Sequence, residues 1–199
     1  EKPQAAWSLN VGGLYTVLET ARQYHCAVFF PSSIGAFGPT TPRDRTPQDT
    51  VQRPTTMYGI TKVTGEMLGD YYARRFGLDV RGLRFPGLIS HVAPPGGGTT
   101  DYAIEIYHAA VRGEQYPCFL KADTRLPMMY MDDAVRGTID LMEAPVSRIT
   151  VRTAYNLAGI SFTPAEVAAE IKALVPGFSI IYKPDYRQAI AESWPESID

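Results

Sequence analysis

The sequence lacks the features that mark membrane, secreted and nucleic-acid-binding proteins. It has only two cysteines, Cys26 and Cys118, each in an apolar run, so we expect buried thiols and no disulfide framework. No apolar run approaches the ~18–20 residues needed to span a bilayer, and no segment has the pattern of a secretory signal peptide. The formal net charge of -2 gives no reason to expect a nucleic-acid or membrane-surface partner. There are no repeats or low-complexity segments, and we predict no metal site.

The composition that remains is that of an ordinary globular protein. With 199 residues, 45% hydrophobic and 20% charged, the chain can bury one sizeable core, and we expect one domain with a smaller lobe attached. Apolar periodicity predicts helices over 4–24, 55–76, 102–112, 132–142, 164–175 and 185–192, and strands over 26–30, 78–85, 116–120, 126–131, 155–158 and 178–183. This alternation predicts an α/β fold with a parallel sheet.

Tyr58 lies four residues before Lys62, near the start of the predicted helix over 55–76. Residues at this spacing share one face of a helix, so the phenol and the ammonium can meet one ligand together. A free tyrosine loses its proton near pH ~10, and a neighbouring cation lowers that pKa toward the range of a useful base. Such a pair alone is more often a half-buried ring beside a solvated charge.

Two serines, Ser32 and Ser33, follow the predicted strand over 26–30. In an open α/β sheet, ligands collect beyond the carboxyl ends of the strands, so these hydroxyl groups are candidates to bind a substrate oxygen. Serine after a strand is also common turn chemistry. The irregular connection over 34–54 is unusually long, and loops of that length are often functional.

A second loop carries three consecutive glycines before Thr99 and Thr100. Glycines allow a backbone to approach a ligand closely or to act as a hinge. One interpretation is a flexible loop whose threonine caps the next helix; the other is a lid that turns a hydroxyl group toward a ligand. We likewise expect Asp132 or Asp133 to cap the helix that follows.

Taken together, these segments resemble the short-chain dehydrogenase/reductase superfamily, in its extended branch that includes nucleotide-sugar epimerases. The matching stretches are FPSSIGAFG (30–38), YGITK (58–62) and LRFPG (83–87). Four further stretches are similar to the short-chain type of L-threonine dehydrogenase: FGPTTP (37–42), PGGGTTDY (95–102), LPMMYM (126–131) and SWP (193–195). The resemblance runs nearly end to end, and it implies a Rossmann-like, doubly wound sheet.

The resemblance also implies residue roles. Tyr58 would be the acid/base, Lys62 would hold the nicotinamide ribose and lower the pKa of Tyr58, and Ser33 would orient the substrate oxygen. Ser32 would lie beside Ser33 as a second hydroxyl group in catalysis and substrate binding. The remaining implied contacts are Asn10, Pro86, Gly87 and Leu88 for the cofactor NAD, and Thr99, Thr100 and Trp194 for the substrate.

One departure from the family pattern concerns the cofactor. In this family a glycine-rich turn after the first strand binds the nucleotide, and these 199 residues contain no such turn. An acidic residue that would hydrogen-bond to the adenosine ribose cannot be assigned either. NAD therefore cannot be told from NADP here, and we expect N-terminal residues that precede this segment. We predict that 1–92 form the catalytic half of the cofactor-binding domain and that 93–199 form mainly a substrate lobe, with segments that return to the core sheet.

Three functions fit the resemblance. The first is NAD-dependent oxidation of L-threonine to 2-amino-3-oxobutyrate, which we favour because a small hydroxyl-lined site suits an amino acid. The second is a nucleotide-sugar epimerase or dehydratase, and the third a non-catalytic nucleotide-sensing protein. The resemblance also implies a homodimer; Val63, Met67 and Tyr71 form an apolar stripe on one helix that could serve as its interface, although such a stripe is more often part of the core. We expect a cytoplasmic location, with the mitochondrial matrix as the alternative.

Overall fold

The computed structural model describes residues 2–199 as eight strands and seven α-helices, most of which alternate along the chain. The helices are α1 (Pro3–Trp7), α2 (Gly13–Tyr24), α3 (Met57–Phe76), α4 (Tyr102–Arg112), α5 (Met131–Glu143), α6 (Pro164–Leu174) and α7 (Tyr186–Glu192). The strands are β1 (Val28–Ser33), β2 (Val80–Phe85), β3 (Gly87–Ile89), β4 (Tyr116–Cys118), β5 (Leu126–Tyr130), β6 (Tyr155–Asn156), β7 (Ile160–Phe162) and β8 (Ile180–Tyr182). The α/β prediction is confirmed, and the fold is Rossmann-like.

The parallel sheet that carries the candidate site has the strand order β1-β2-β6. β1 and β2 run side by side from Val28 opposite Val80 to Ser33 opposite Phe85. Both strands therefore end at the same edge. The two predicted serines are the last residues of β1 and not part of a turn after it.

Helix α3 lies across β1 and β2 and has the termini that the sequence predicts. The Thr56 hydroxyl accepts the backbone N–H of Gly59 at 3.0 Å as the N-terminal cap. Gly77 ends the helix in the left-handed conformation, with φ of 67°. Close packing depends on Gly59, because a Cβ atom there would lie 2.1 Å from the carbonyl oxygen of Gly35. The start of α3 is thereby seated directly on the turn that follows β1.

The second half of the chain has its own core beneath two small sheets. β3 and β5 are parallel, β5 and β7 are antiparallel, and β4 pairs with β8. The largest cluster of buried apolar residues joins α4, β4, β5 and α6. β6 returns to the first sheet while β3 pairs in the second, so the division at residue 92 stays a prediction. The three-residue strands β3 and β7 were not predicted.

The predicted cap of α5 by Asp132 or Asp133 is wrong, neither Thr99 nor Thr100 caps α4, and one helix is more irregular than predicted. Asp101 precedes α4 and Tyr130 precedes α5, and neither α4 nor α5 has a side-chain cap. The reason at α5 is that β5 leads directly into it, which places Asp132 and Asp133 in its first turn. The predicted helix over 4–24 is continuous from α1 to α2, but residues 8–12 form a π-helical turn.

The two cysteines differ in exposure, so the prediction is right for Cys118 and wrong for Cys26. Cys26 is exposed because β1 begins only at Val28, two residues later. Burial raises the pKa of the Cys118 thiol to about 11, so this thiol is protonated at neutral pH. Among residues 2–199, no helix is both long and apolar enough to cross a membrane.

The irregular connection after β1 is held by the last described residues. Thr46 N–H donates to the Ser197 carbonyl at 3.0 Å, and Asp199 N–H donates back to the Thr46 carbonyl at 3.0 Å. Glu196 N–H adds a bond to the Arg43 carbonyl at 2.7 Å. This pairing fixes the loop, and it also fixes the segment that carries Trp194.

Candidate active site

A pocket of 510 Å³ opens where β1 and β2 end and α3 begins. Ten of the eleven predicted site residues line it; Asn10 does not. The lining consists of Pro31, Ser32, Ser33, Ile34, Thr56, Tyr58, Lys62, Phe85, Pro86, Gly87, Leu88, Gly98, Thr99, Thr100, Asp101, Ile190 and Trp194. The sequence prediction named neither Asp101, which belongs to the stretch PGGGTTDY, nor Ile190, which belongs to no motif, as a site residue.

The phenol of Tyr58 and the hydroxyl group of Ser33 both line this pocket, and hydrogen bonding with Ser33 lowers the pKa of the phenol. Ser33 also accepts the Gly35 N–H at 3.0 Å, so its oxygen is oriented from the backbone side. The Ser33 hydroxyl keeps its proton available as a donor. The arrangement presents one donor and one acid/base group to a single ligand oxygen, as dehydrogenation of an alcohol requires.

Lys62 lies one turn farther along α3, with its ammonium 5.3 Å from the centroid of the Tyr58 ring. Its Nζ donates to the Pro31 carbonyl at 2.6 Å, which holds the side chain across the end of β1. An ammonium has three protons to donate, so two remain for a ligand. The sequence prediction that α3 carries both groups on one face is consistent with this geometry.

The pKa of Tyr58 differs from the value that the sequence suggests. Burial of the phenol raises the pKa, and the hydrogen bond from Ser33 opposes this increase only in part. Burial also lowers the pKa of Lys62, while the negative charge of Glu66 opposes that change. The expected lowering of the Tyr58 pKa by Lys62 is therefore not present in the protein without ligands.

Ser32 and Asn10 have partners outside the pocket interior. The Ser32 hydroxyl donates to Glu66 Oε1 at 2.5 Å, and the serine is only 3% exposed. Its single proton is thus engaged and is not free for a substrate oxygen. Asn10 Nδ2 donates to Thr61 Oγ1 at 3.0 Å, and that hydroxyl donates to the Tyr58 carbonyl at 2.7 Å. Asn10 therefore contacts the backbone of the Tyr58 helix indirectly.

The glycine-rich loop folds over the mouth of the pocket around Asp101. The Asp101 carboxylate accepts the N–H groups of Gly96 at 2.7 Å and Gly98 at 2.8 Å. This use of the carboxylate explains why Asp101 does not cap α4 by its side chain. Thr99 is buried against the pocket, while Trp194 closes the side next to α7.

Sequence comparison assigns the family. Residues 1–158 match the NAD dependent epimerase/dehydratase family. The chain belongs to this family. An uncharacterized epimerase/dehydratase of Staphylococcus haemolyticus is 56% identical over 200 residues, a match that takes in all of this chain and 63% of that protein. The counterpart in Staphylococcus aureus (strain USA300) is 54% identical over 200 residues and is matched over 62% of its length. The chain thus spans less than two thirds of these curated relatives.

Solved structures of the epimerase/dehydratase fold are closely similar. The holo form of a GalE-like L-threonine dehydrogenase from Cupriavidus necator superposes with a TM-score of 0.99 at 62% identity, over all of this chain and 65% of that one. L-Threonine dehydrogenase from Phytophthora infestans has a TM-score of 0.97 at 53% identity, over 100% of this chain and 64% of that one. A UDP-glucose 4-epimerase from Thermotoga maritima, at 24% identity and a TM-score of 0.84 over 100% and 62%, shares the fold alone.

Membership of an NAD-dependent family raises the question of whether these residues fit the cofactor. Lys62 keeps two free donors beside Tyr58, as a ribose with two hydroxyl groups requires. Residues Pro86–Leu88 line the same pocket. These residues fit the nicotinamide and its ribose. In residues 2–199 there is no glycine-rich turn that could bind the pyrophosphate.

Proposed function

We propose that the whole protein oxidises the C3 hydroxyl group of L-threonine with NAD and forms 2-amino-3-oxobutyrate. The observation that carries the proposal is that Ser33, Tyr58 and Lys62 line one pocket together with further small hydroxyl residues. Identity of 62% to a dehydrogenase with this substrate in its name supports the same assignment. NAD is the cofactor proposed.

Each of the three motif residues has one task in this reaction. Ser33 donates a hydrogen bond to the substrate oxygen and so fixes its distance from Tyr58. Tyr58, as the phenolate, accepts the hydroxyl proton. Lys62 stabilises the phenolate by its charge and holds the ribose. The bound nicotinamide would accept the hydride from C3.

The character of the pocket supports a small amino-acid substrate. Among the described lining residues, Lys62 is the one cation and Asp101 the one carboxylate. A nucleotide sugar carries a diphosphate, which proteins usually hold with arginine side chains, and no arginine lines this pocket among residues 2–199. Thr99, Thr100 and Trp194 also line the pocket and would contact the amino and carboxylate groups.

Two other functions remain as outcomes of the test. A nucleotide-sugar epimerase would use the same Tyr58 and Lys62, and the curated relatives have epimerase/dehydratase names. A nucleotide sensor would bind NAD without turnover. The joint presence of Ser33, Tyr58 and Lys62 in one pocket supports catalysis over sensing.

The test is an NAD-reduction assay with the full-length protein and a panel of hydroxy-amino acids, led by L-threonine. Tyr58→Phe is the matched variant, because it removes one oxygen and keeps the ring. We expect turnover of L-threonine by the wild type, loss of turnover in Tyr58→Phe, and NAD binding in both. Near-normal activity of Tyr58→Phe would refute its role as the base.

A thermal-shift measurement separates the alternatives. A ligand present at 100 times its Kd stabilises the folded state by about 2.7 kcal/mol. Stabilisation by UDP-sugars but not by L-threonine with NAD would favour the epimerase. Stabilisation by NAD without turnover of any substrate would favour the sensor.

A further inference from the structure

Three residues of α3 at successive four-residue steps hold the three residues that end β1. Tyr58 lines the pocket with Ser33 and interacts with it, Lys62 Nζ donates to the Pro31 carbonyl, and Glu66 accepts the Ser32 hydroxyl. Tyr58 and Lys62 are explained by the proposed reaction. Glu66 is not, although it continues the same stripe of the helix.

Glu66 is a fully buried carboxylate, with 0% exposure. Arg84 forms a fork to it, from Nη2 to Oε2 at 2.8 Å and from Nε to Oε1 at 3.0 Å. Gln52 Nε2 donates to Oε2 at 2.9 Å, and Ser32 donates to Oε1. A buried charge persists only with such a full set of partners. The carboxylate thereby links α3, β1, β2 and the long loop directly below the pocket.

The end of β1 needs such an anchor because Pro31 interrupts its backbone hydrogen bonding. Proline has no N–H, so β1 lacks one ladder donor next to its last two residues. Side chains of α3 therefore supply part of the restraint that the backbone cannot.

We propose that Glu66 is a positioning residue that fixes the end of β1 through the Ser32 hydroxyl and so keeps Ser33 within hydrogen-bonding distance of Tyr58. This deepens the proposed function, on which it rests for the roles of Ser33 and Tyr58. Ser32 then acts through its neighbour and not on the substrate.

The test removes the Ser32 hydroxyl and leaves the Glu66–Arg84 pair intact. Replacing Glu66 itself would leave Arg84 buried without its counter-charge, and a folding defect would obscure the result. Ser32→Ala in the full-length protein avoids this. Tyr116→Phe is the matched control, because Tyr116 is also 3% exposed and donates its hydroxyl to a carboxylate, Glu105, at 2.9 Å. Tyr116 does not line the pocket.

The first readout is turnover of L-threonine with NAD. We expect Ser32→Ala to lower kcat by about 10- to 100-fold, because a displaced Ser33 no longer orients the reacting oxygen. Tyr116→Phe should keep the wild-type kcat. If Ser32→Ala does not fold, Ser32→Cys, with a weak S–H donor, replaces it with the same expected direction.

The second readout does not depend on activity. The ionisation of Tyr58 is measured by difference absorbance against the same protein carrying Tyr58→Phe. Tyr58 faces the Lys62 ammonium and the Ser33 hydroxyl, and Asp101 lines the same pocket. Because hydrogen bonding with Ser33 lowers the pKa of Tyr58, Ser32→Ala should raise that pKa, Ser33→Ala should raise it as well, and Tyr116→Phe should leave it unchanged.

The two readouts separate the positioning role from the proposed function. A raised Tyr58 pKa in Ser32→Ala, in a protein that does not oxidise L-threonine, supports the positioning role and refutes the substrate. An unchanged Tyr58 pKa in Ser32→Ala overturns the positioning role, whether or not L-threonine is oxidised.

Discussion

Replacing Gly59 by alanine would test how the start of α3 is seated over the active site. The new Cβ atom would lie 2.1 Å from the Gly35 carbonyl oxygen and 2.5 Å from Pro54 Cβ. Neither neighbour is the end of a flexible side chain, so α3 must move away from the turn after β1. That movement would separate Tyr58 from Ser33.

The magnitude follows from two opposing terms. Overpacking a tight contact costs typically about 1–3 kcal/mol, and a clash with backbone belongs at the upper end. Alanine in place of glycine in a helix returns up to about 1 kcal/mol. The net loss of about 2 kcal/mol corresponds to a decrease in Tm of roughly 4–8 °C for a protein of this size. A displacement of about 1 Å at the reacting groups would lower kcat by about 100-fold.

The assay pairs thermal unfolding with turnover, and Gly137→Ala is the control. Gly137 lies within α5, and a Cβ there would be 3.5 Å from Leu157 Cδ1, an ordinary contact. The control should therefore gain up to about 1 kcal/mol and keep its kcat. Gly59→Ala with wild-type Tm and kcat would refute the close seating of α3.

Three further predictions concern the pH dependence, a helix cap and the assembly. Burial raises the pKa of Tyr58, and Ser33 lowers it, so kcat/KM should rise with pH as the phenolate forms. Ser33→Ala should move this rise to higher pH and lower kcat by roughly tenfold or more. If the pH–rate profile of Ser33→Ala coincides with that of the wild type, the role of Ser33 is contradicted. Thr163→Ala should cost about 1 kcal/mol in urea unfolding, since Thr163 and Glu166 form a reciprocal capping box, and an unchanged midpoint would show that the cap is not stabilising. Met67 and Tyr71 are about half exposed on α3, so if this face forms the predicted homodimer, Tyr71→Glu should yield monomers in sedimentation, whereas an unaltered dimer would place the interface elsewhere.

The parts of the fold that could be predicted from the sequence are those with local signals. The helix α3 was predictable because Thr56 can cap it, Gly77 can end it and apolar residues recur between them. The position of Ser33 near Tyr58 was predictable because strand ends and helix starts share one edge of a parallel sheet. The strands β3 and β7 were not predicted, and each forms by pairing with β5, which is distant in the sequence.

The partners of individual polar side chains could not be predicted. Ser32 and Glu66 are 34 positions apart, and nothing local pairs them. The same holds for Asn10 and Thr61, which meet because α3 packs against the π-helical turn. The carboxylate of Asp101 could accept backbone N–H groups either from the first turn of α4 or from the glycine-rich loop. In the structure it accepts those of the loop, from Gly96 and Gly98, and the local sequence does not distinguish the two.

Residues 43–46 are hydrogen-bonded to residues 196–199. The loop and the segment that carries Trp194 should therefore open together when the structure fluctuates locally. The Thr46 and Asp199 amides bond across the same pair of segments, so any fluctuation that releases one exposes the other. Hydrogen exchange at these two amides should therefore occur at a common rate. A substrate that contacts Trp194 should slow exchange at both, although Thr46 lies in the other half of the sequence.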